Sequence, residues 1–280
     1  MHSHSLLNLG PHGFHRTRYH EWGDPGNPRV VVCVHGLTRN SRDFDALAQA
    51  LAPAFRVLCP DVVGRGESDW LAHRQDYGYP LYLADVTALI ARAGVDSVAW
   101  VGTSMGGLIG MMLAAHPGTP IGRLVLNDVG PLIPKAALRR LATYVGKAVS
   151  FASLDAYERY LREVCAPFGP LSDAQWRHLA QHSVRRNDDG SFALGYDPGI
   201  AHAFAGELQD VVLWPVWDSI QCRTLVLRGA QSDLLLRDTA LEMTRRGPRA
   251  TLKEIEGVGH APALMAKDQI EIVRDFLLAP

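Results

Sequence analysis

The sequence predicts an α/β architecture, a mostly parallel sheet covered on both faces by helices and interrupted by a helical insertion, and three observations predict it. Apolar strand-like runs alternate with helical patterns along both ends of the 280-residue chain. The run Gly102-Thr103-Ser104-Met105-Gly106-Gly107 forms a sharp turn between an apolar strand over residues 98–101 and an apolar helix over 108–115. The alternation stops after Asp128 and resumes at Arg223, which marks a segment inserted into the sheet.

Taken in order, residues 14–22 and 29–34 read as the opening strands, joined by the turn-rich Gly23-Asp24-Pro25-Gly26-Asn27-Pro28. Ser41 reads as the N-cap of a helix running to Leu51, with Asp43 and Asp45 in the first turn, where the helix dipole favours negative charge. A strand over 56–59 follows, and between 81 and 93 Val86, Leu89, Ile90 and Ala93 recur at helical spacing. After the Ser104 turn, its helix stops near Pro117 and residues 124–126 form the next strand. The insertion has a helical pattern: Leu138, Leu141 and Val145, then Leu154, Tyr157, Leu161 and Val164, then Trp176 and Leu179 behind a capping box of Ser172 and Gln175. Strands over 224–227 and 251–255 close the sheet. The expected organisation is a core of residues 1–130 and 220–280 with a cap of residues 131–219.

The Gly-x-Ser-x-Gly turn has the context of a nucleophile elbow. Small residues at 102 and 106 let a serine stand on a tight, strained turn at the end of a strand. A serine hydroxyl attacks only if a base takes its proton and a third group orients that base. Of the 12 histidines, only His260 follows the last strand-like run, in the loop Gly257-Val258-Gly259-His260-Ala261-Pro262, and it is the expected base. Two acids precede it, Asp128 after residues 124–126 and Asp233 after 224–227; chain order does not choose between them. Asp233 is preferred, because a loop turned by Gly229 after the penultimate strand delivers a carboxylate to the histidine loop, leaving Asp128 a capping or hinge role. The oxyanion donors are the backbone N–H groups of Met105, next to the nucleophile, and Leu37, in the loop His35-Gly36-Leu37-Thr38 after the first parallel strand. His35, upstream of the serine, holds this loop.

These residues carry a resemblance. From about Phe14 onward the chain resembles the α/β-hydrolase fold superfamily, in its branch of capped carboxylesterases, enol-lactonases and carbon–carbon bond hydrolases. The matching stretches are His35-Gly36, Asp61-Val62-Val63-Gly64-Arg65-Gly66-Glu67-Ser68, Gly102 to Gly107, Gly229 to Asp233 and Gly259-His260. The resemblance implies an eight-stranded sheet, a nucleophile at Ser104, an acid at Asp233, a base at His260 and an oxyanion hole at Leu37 and Met105. Serine at 104 disfavours the members whose elbow carries an aspartate.

Composition fits one enzyme without a polyanionic partner. The net charge is −1 with no basic block, and 47% hydrophobic residues supply a sizeable core. Residues 97–122 lack Lys, Arg, Asp and Glu, yet Gly102, Gly106, Gly107, Gly110 and Pro117 break them, so they read as strand, elbow and helix rather than a membrane span. The N-terminal residues lack a basic start and a long apolar stretch, so a cytoplasmic protein is expected. The cysteines at 33, 59, 165 and 222 show no paired spacing and read as reduced thiols. His178 and His182 share a helix face at i and i+4, but the sequence shows no third ligand, so they read as a solvated face and neither metal nor organic cofactor is expected. Arg39 and Arg42 flank the oxyanion loop and are candidate holders of a substrate carboxylate; Trp176 is the candidate contact among the cap aromatics. The function that follows is serine hydrolysis of small carboxylic esters through an acyl-enzyme. Carbon–carbon bond hydrolysis, enol-lactone hydrolysis of a carboxylated catabolite, and a non-catalytic ligand-binding module are the alternatives.

Overall fold

The computed structural model describes residues 1–279. In chain order the core begins with β1 (His2–Gly10), β2 (Gly13–Trp22), β3 (Val30–Val34), α1 (Asp45–Leu51), β4 (Arg56–Asp61), α2 (Tyr79–Ala93), β5 (Val98–Thr103), α3 (Met105–Ala114) and β6 (Ile121–Asn127). The inserted segment carries β7 (Leu132–Ile133), α4 (Lys135–Ala142), β8 (Ser150–Phe151), α5 (Leu154–Val164), α6 (Asp173–His182), β9 (Val184–Arg186), β10 (Phe192–Leu194), β11 (Val211–Val212) and α7 (Trp214–Asp218). The core then resumes with β12 (Arg223–Gly229), α8 (Arg237–Met243), β13 (Thr251–Ile255) and α9 (Lys267–Leu278).

Eight strands form one sheet in the order β1-β2-β4-β3-β5-β6-β12-β13. The first three neighbours pair antiparallel; from β4 to β13 every pairing is parallel. Strand β3 shows why both faces must be covered, since all five of its residues are buried. Val31 and Cys33 point into a layer with Leu47 and Leu51 of α1 and Val273 and Leu277 of α9. Val30, Val32 and Val34 point the other way, into a layer with Leu89 of α2, Ile109 of α3 and residues of the insertion. The period-two alternation of a strand thus splits one apolar run between two cores.

Three local expectations are corrected. The sheet opens at β1, before Phe14, because this edge strand inverts the usual pattern: Leu7 and Leu9 are exposed, while Asn8 is buried and its side-chain amide donates to Thr17 Oγ1 at 2.8 Å. The cap before α1 is Asn40, whose side chain accepts from Arg42 N; Ser41 to Phe44 form a 3-10 turn that leads into the helix. The insertion is not helical throughout. It contains a three-stranded ladder β8-β10-β9 and a two-stranded ladder β11-β7, whose two- and three-residue strands are too short to show a period. The Ser172–Gln175 capping box forms as read from the sequence. Among the described residues no helix is long and apolar enough to cross a membrane.

Candidate functional site

The loops that leave the C-terminal ends of β3, β5, β6 and β13 meet at one place, the position at which parallel α/β sheets bind ligands. Ser104 sits between β5 and α3 with φ 52° and ψ −115°, a conformation outside the regions a side chain ordinarily allows. Two contacts hold it there. Its N–H donates to the Asn127 carbonyl at 3.0 Å, and its own carbonyl accepts from Leu108 N at 3.0 Å. A Cβ at Gly102 would stand 2.3 Å from the Gly106 carbonyl oxygen, and one at Gly106 would stand 2.0 Å from the Val34 carbonyl oxygen. Only glycine at both positions lets the turn close against β3.

His260 lies beyond β13 and reaches back to the serine. Its Nε2 is 2.9 Å from Ser104 Oγ, and its Nδ1 is 2.7 Å from Asp128 Oδ2. The Asp128 side chain is fully buried. Its Oδ1 accepts from Gly229 N at 2.8 Å and its Oδ2 accepts from the Ser232 hydroxyl at 2.6 Å, so donors surround a carboxylate that has left water. The residue before it, Asn127, donates to Thr103 Oγ1 and to the Pro262 carbonyl, which ties β6 to both the elbow strand and the histidine loop.

The expected pairing of Asp233 with His260 is therefore corrected. Asp233 is half exposed and accepts from Arg140 of α4, at 2.9 Å through Nη2. The loop after β12 does serve the histidine's partner, but with Ser232 and the Gly229 N–H rather than with its carboxylate. Strand order explains the exchange. Because β6 lies beside the elbow strand β5, the residue that follows it emerges next to Ser104, one strand nearer than the residue that follows β12.

The oxyanion loop comes within contact of the elbow, since a Cβ on Gly36 would lie 3.7 Å from Ser104 Cβ. Met105 is the first residue of α3, so its N–H belongs to the helix turn that has no intrahelical acceptor. Leu37, Ser104 and Met105 line one cavity of about 510 Å³. Arg65, assigned no role from the sequence, braces both Leu37 and Met105, the expected donors, from behind. It is completely buried, donates to the carbonyl of Leu37 (2.9 Å) and of Val63 (2.8 Å) and to Tyr82 Oη (3.0 Å), and its guanidinium lies against Met105 Sδ (3.6 Å). Its signal in the sequence was an arginine enclosed by Gly64 and Gly66, both with positive φ.

His35 fixes the same loop. Its Nδ1 donates to the Gly36 carbonyl at 2.7 Å and its Nε2 accepts from Val62 N at 3.0 Å, an arrangement that only the neutral ring satisfies. Burial pushes its pKa down from 6.5 to about 4. Below pH 6.5 the unfolded chain binds a proton that the folded loop refuses, so stability falls as pH drops from 6.5 toward 4 and is fully present above 6.5. For this one residue the loss is about 3 kcal/mol. Urea denaturation at several pH values should show it. The His35→Gln variant should be less stable at pH 7 but lose about one proton of acid sensitivity between pH 6.5 and 4.5; an unchanged slope would remove His35 as the cause.

The remaining expected contacts lie elsewhere. Arg39 is buried against Asp43, to which it donates at 2.8 and 2.7 Å, and Arg42 is paired with Asp45. Trp176 packs inside the insertion under the Arg162 guanidinium. None of the three lines the Ser104 cavity. Its walls are apolar, with Met105 and Leu108 from the core and Leu138, Leu141 and Leu213 from the insertion. Glu207 and Asp210 also line it, and it has no arginine or lysine. The arginines were already committed to local carboxylates three and four residues along the chain, a pairing visible in Arg39-x-x-x-Asp43 and Arg42-x-x-Asp45.

Comparison with known proteins gives a consistent family. Residues 31–271 match the Alpha/beta hydrolase family. A 3-hydroxybutyrate-oligomer hydrolase of Cupriavidus necator is 46% identical over 277 residues, covering 96% of this chain and 94% of that one. Esterase Rv0045c of Mycobacterium tuberculosis is 30% identical, covering 91% of this chain and 84% of its own. An alpha/beta hydrolase from Novosphingobium aromaticivorans superposes with a TM-score of 0.86 at 36% identity, over 98% of each chain.

Proposed function

Because the chain belongs to the alpha/beta hydrolase family and is a hydrolase, we propose that it cleaves carboxylic esters of short hydroxyalkanoate oligomers by acyl transfer through Ser104. The observation that carries this reading is the contact line Ser104 Oγ, His260, Asp128, with gaps of 2.9 and 2.7 Å. His260 Nε2 takes the hydroxyl proton as Oγ attacks the ester carbonyl. The negative charge that forms on the carbonyl oxygen is met by the N–H groups of Leu37 and Met105, each such donor contributing about 3 kcal/mol to the transition state. His260 returns the proton to the departing alkoxide, then takes one from water as it attacks the acyl-enzyme. Asp128 holds the Nδ1–H tautomer and offsets the charge of the imidazolium. The segment of residues 131–219 acts as a cap, closing the apolar cavity over the serine.

Support for the substrate class comes from the cavity and from the Cupriavidus necator relative. An apolar cavity of about 510 Å³ with acidic groups and no cation among its lining residues takes the aliphatic ester repeat of such an oligomer and leaves its terminal carboxylate outside, toward solvent. The alternative of a carboxylated catabolite loses the arginines it rested on. Initial rates on 3-hydroxybutyrate dimer to tetramer methyl esters, p-nitrophenyl butyrate, a mono-ester of a dicarboxylic acid and a vinylogous diketone test the reading. We expect kcat/KM for the neutral oligomers to exceed that for the dicarboxylic mono-ester at least about tenfold, the factor equivalent to 1.4 kcal/mol. A preference for the charged ester, or turnover of the diketone alone, would overturn the substrate assignment. Saturable binding without turnover of any ester would favour a binding module.

A further inference from the structure

Helix α6 ends against the segment that follows the oxyanion loop, and this junction holds a second cluster of metal-ligating side chains. His178 and His182 lie one turn apart on α6, and Asp45 opens α1 directly opposite them. One donor atom from each residue lies within 4.8 Å of the other two. His178 Nε2 is 3.4 Å from Asp45 Oδ2. Around a tetrahedral ion with bonds of about 2.0–2.2 Å, neighbouring ligand atoms stand about 3.4 Å apart. The carboxylate that the sequence could not reveal as a third ligand is thus supplied by the core.

We propose that Asp45, His178 and His182 form a transition-metal site, of the imidazole and carboxylate type suited to Zn²⁺, Ni²⁺ or Cu²⁺, that clamps the cap onto the core. The site has an entry path. His182 and Arg42 line a polar cavity of about 550 Å³, bounded also by His20, Asn40, Asp61 and Trp70, which gives room for water to complete the coordination. Its present occupant is a cation. The Arg42 guanidinium donates to both Asp45 oxygens, at 2.9 and 2.8 Å through Nε, and stands 3.3 Å from His182 Nδ1. A divalent ion replaces this single charge with two. His178 Nε2 is 3.1 Å from the Arg42 carbonyl, so ligation moves its ring proton to Nδ1 and frees the Nε2 lone pair for the metal.

The consequence falls on the oxyanion loop. Leu37 and Arg42 are five residues apart, and the same segment is pinned to the cap by Asn40, which donates to the His182 carbonyl at 2.9 Å. Displacing Arg42 disturbs that segment, so the metal inhibits. This activity arm rests on the ester-hydrolase reading; the binding arm does not.

The binding arm uses the full-length Ser104→Ala chain, freed of metal with chelator and titrated with ZnCl₂ or NiCl₂ at 100 μM while its melting temperature is followed. A saturable rise of roughly 3 °C or more is expected. It should vanish in the added His178→Gln/His182→Gln pair and grow in Arg42→Met, which removes the competing cation. No rise, or a rise undiminished by the histidine pair, overturns the site, the latter placing the metal on another histidine such as His260. Should the paired variant fail to fold, Cu²⁺ electron paramagnetic resonance of the otherwise unaltered chain decides: coupling to two imidazole nitrogens supports the site, and coupling to fewer overturns it. In the active chain, ester turnover should fall at least about fivefold at saturating Zn²⁺, a coupling of ordinary allosteric size, and the histidine pair should resist. Metal binding with unchanged turnover would overturn the inhibitory role while leaving the site; a chain with no ester turnover would instead overturn the esterase reading and leave the thermal result standing.

Discussion

Replacing Ser104 with alanine is expected to lower ester turnover at least about a thousandfold while the chain keeps its fold. The proposed mechanism passes the acyl group through Ser104 Oγ, and among the described residues no other hydroxyl stands within hydrogen-bond distance of His260 Nε2. Only one oxygen atom is removed, from a position at the edge of the cavity, so packing changes little. A Ser104→Gly variant separates chemistry from conformation. A non-glycine residue at φ 52° carries strain of about 1–3 kcal/mol. Glycine should therefore match alanine in lost turnover while melting at a higher temperature than alanine. An alkyl phosphonate with a good leaving group should phosphonylate the unmodified chain, forming a P–O bond at Ser104 as the leaving group departs, and peptide mass spectrometry should find the adduct there. An adduct on another residue, or turnover preserved in either variant, would remove Ser104 as the nucleophile.

Asp128→Asn is expected to lower kcat by about four orders of magnitude with little change in KM. An amide at this position presents an N–H₂ or a weaker acceptor to His260 Nδ1 and favours the wrong tautomer for accepting the serine proton. The side chain is enclosed by the Gly229 N–H and the Ser232 hydroxyl, so the variant should also lose stability, and its melting curve must accompany the kinetics. Asp233→Asn is the contrasting case. It breaks a half-exposed pair with Arg140, worth at most about 1 kcal/mol, and should change kcat by less than about threefold. The reverse pattern would return the acid to position 233.

The elbow was legible because it is local. Its glycines, the strand before it and the helix after it lie within twenty residues, and backbone sterics alone require that spacing. His260 was legible by a weaker rule, that it is the histidine which follows the last strand. Asp128 and Asp233 were not separable, because both follow a strand and the choice depends on which strand lies beside β5. That order, β5-β6-β12, is a property of the sheet. The misplacement of Arg39, Arg42 and Trp176 has the same root. Their chemistry suits substrate contact, but each finds a partner within the chain: Asp43, Asp45 and the apolar interior of the insertion. Arg65 shows the converse, an arginine in a glycine-flanked turn whose importance lies in two residues 28 and 40 positions away.

By itself the sequence determined the α/β class, the interruption of the sheet after Asp128, the strained serine turn and the histidine loop, all of which follow from periodicity and from the steric demands of a few consecutive residues. Tertiary structure alone decided which carboxylate faces His260, which residues line the cavity, that Arg65 stands behind Leu37 and Met105, and that Asp45 meets His178 and His182. Each of these is a contact between segments far apart in the chain. Backbone preferences act over a few residues, whereas the pairing of polar groups is fixed only when strand order and burial bring them together in a medium that will not leave them unpaired.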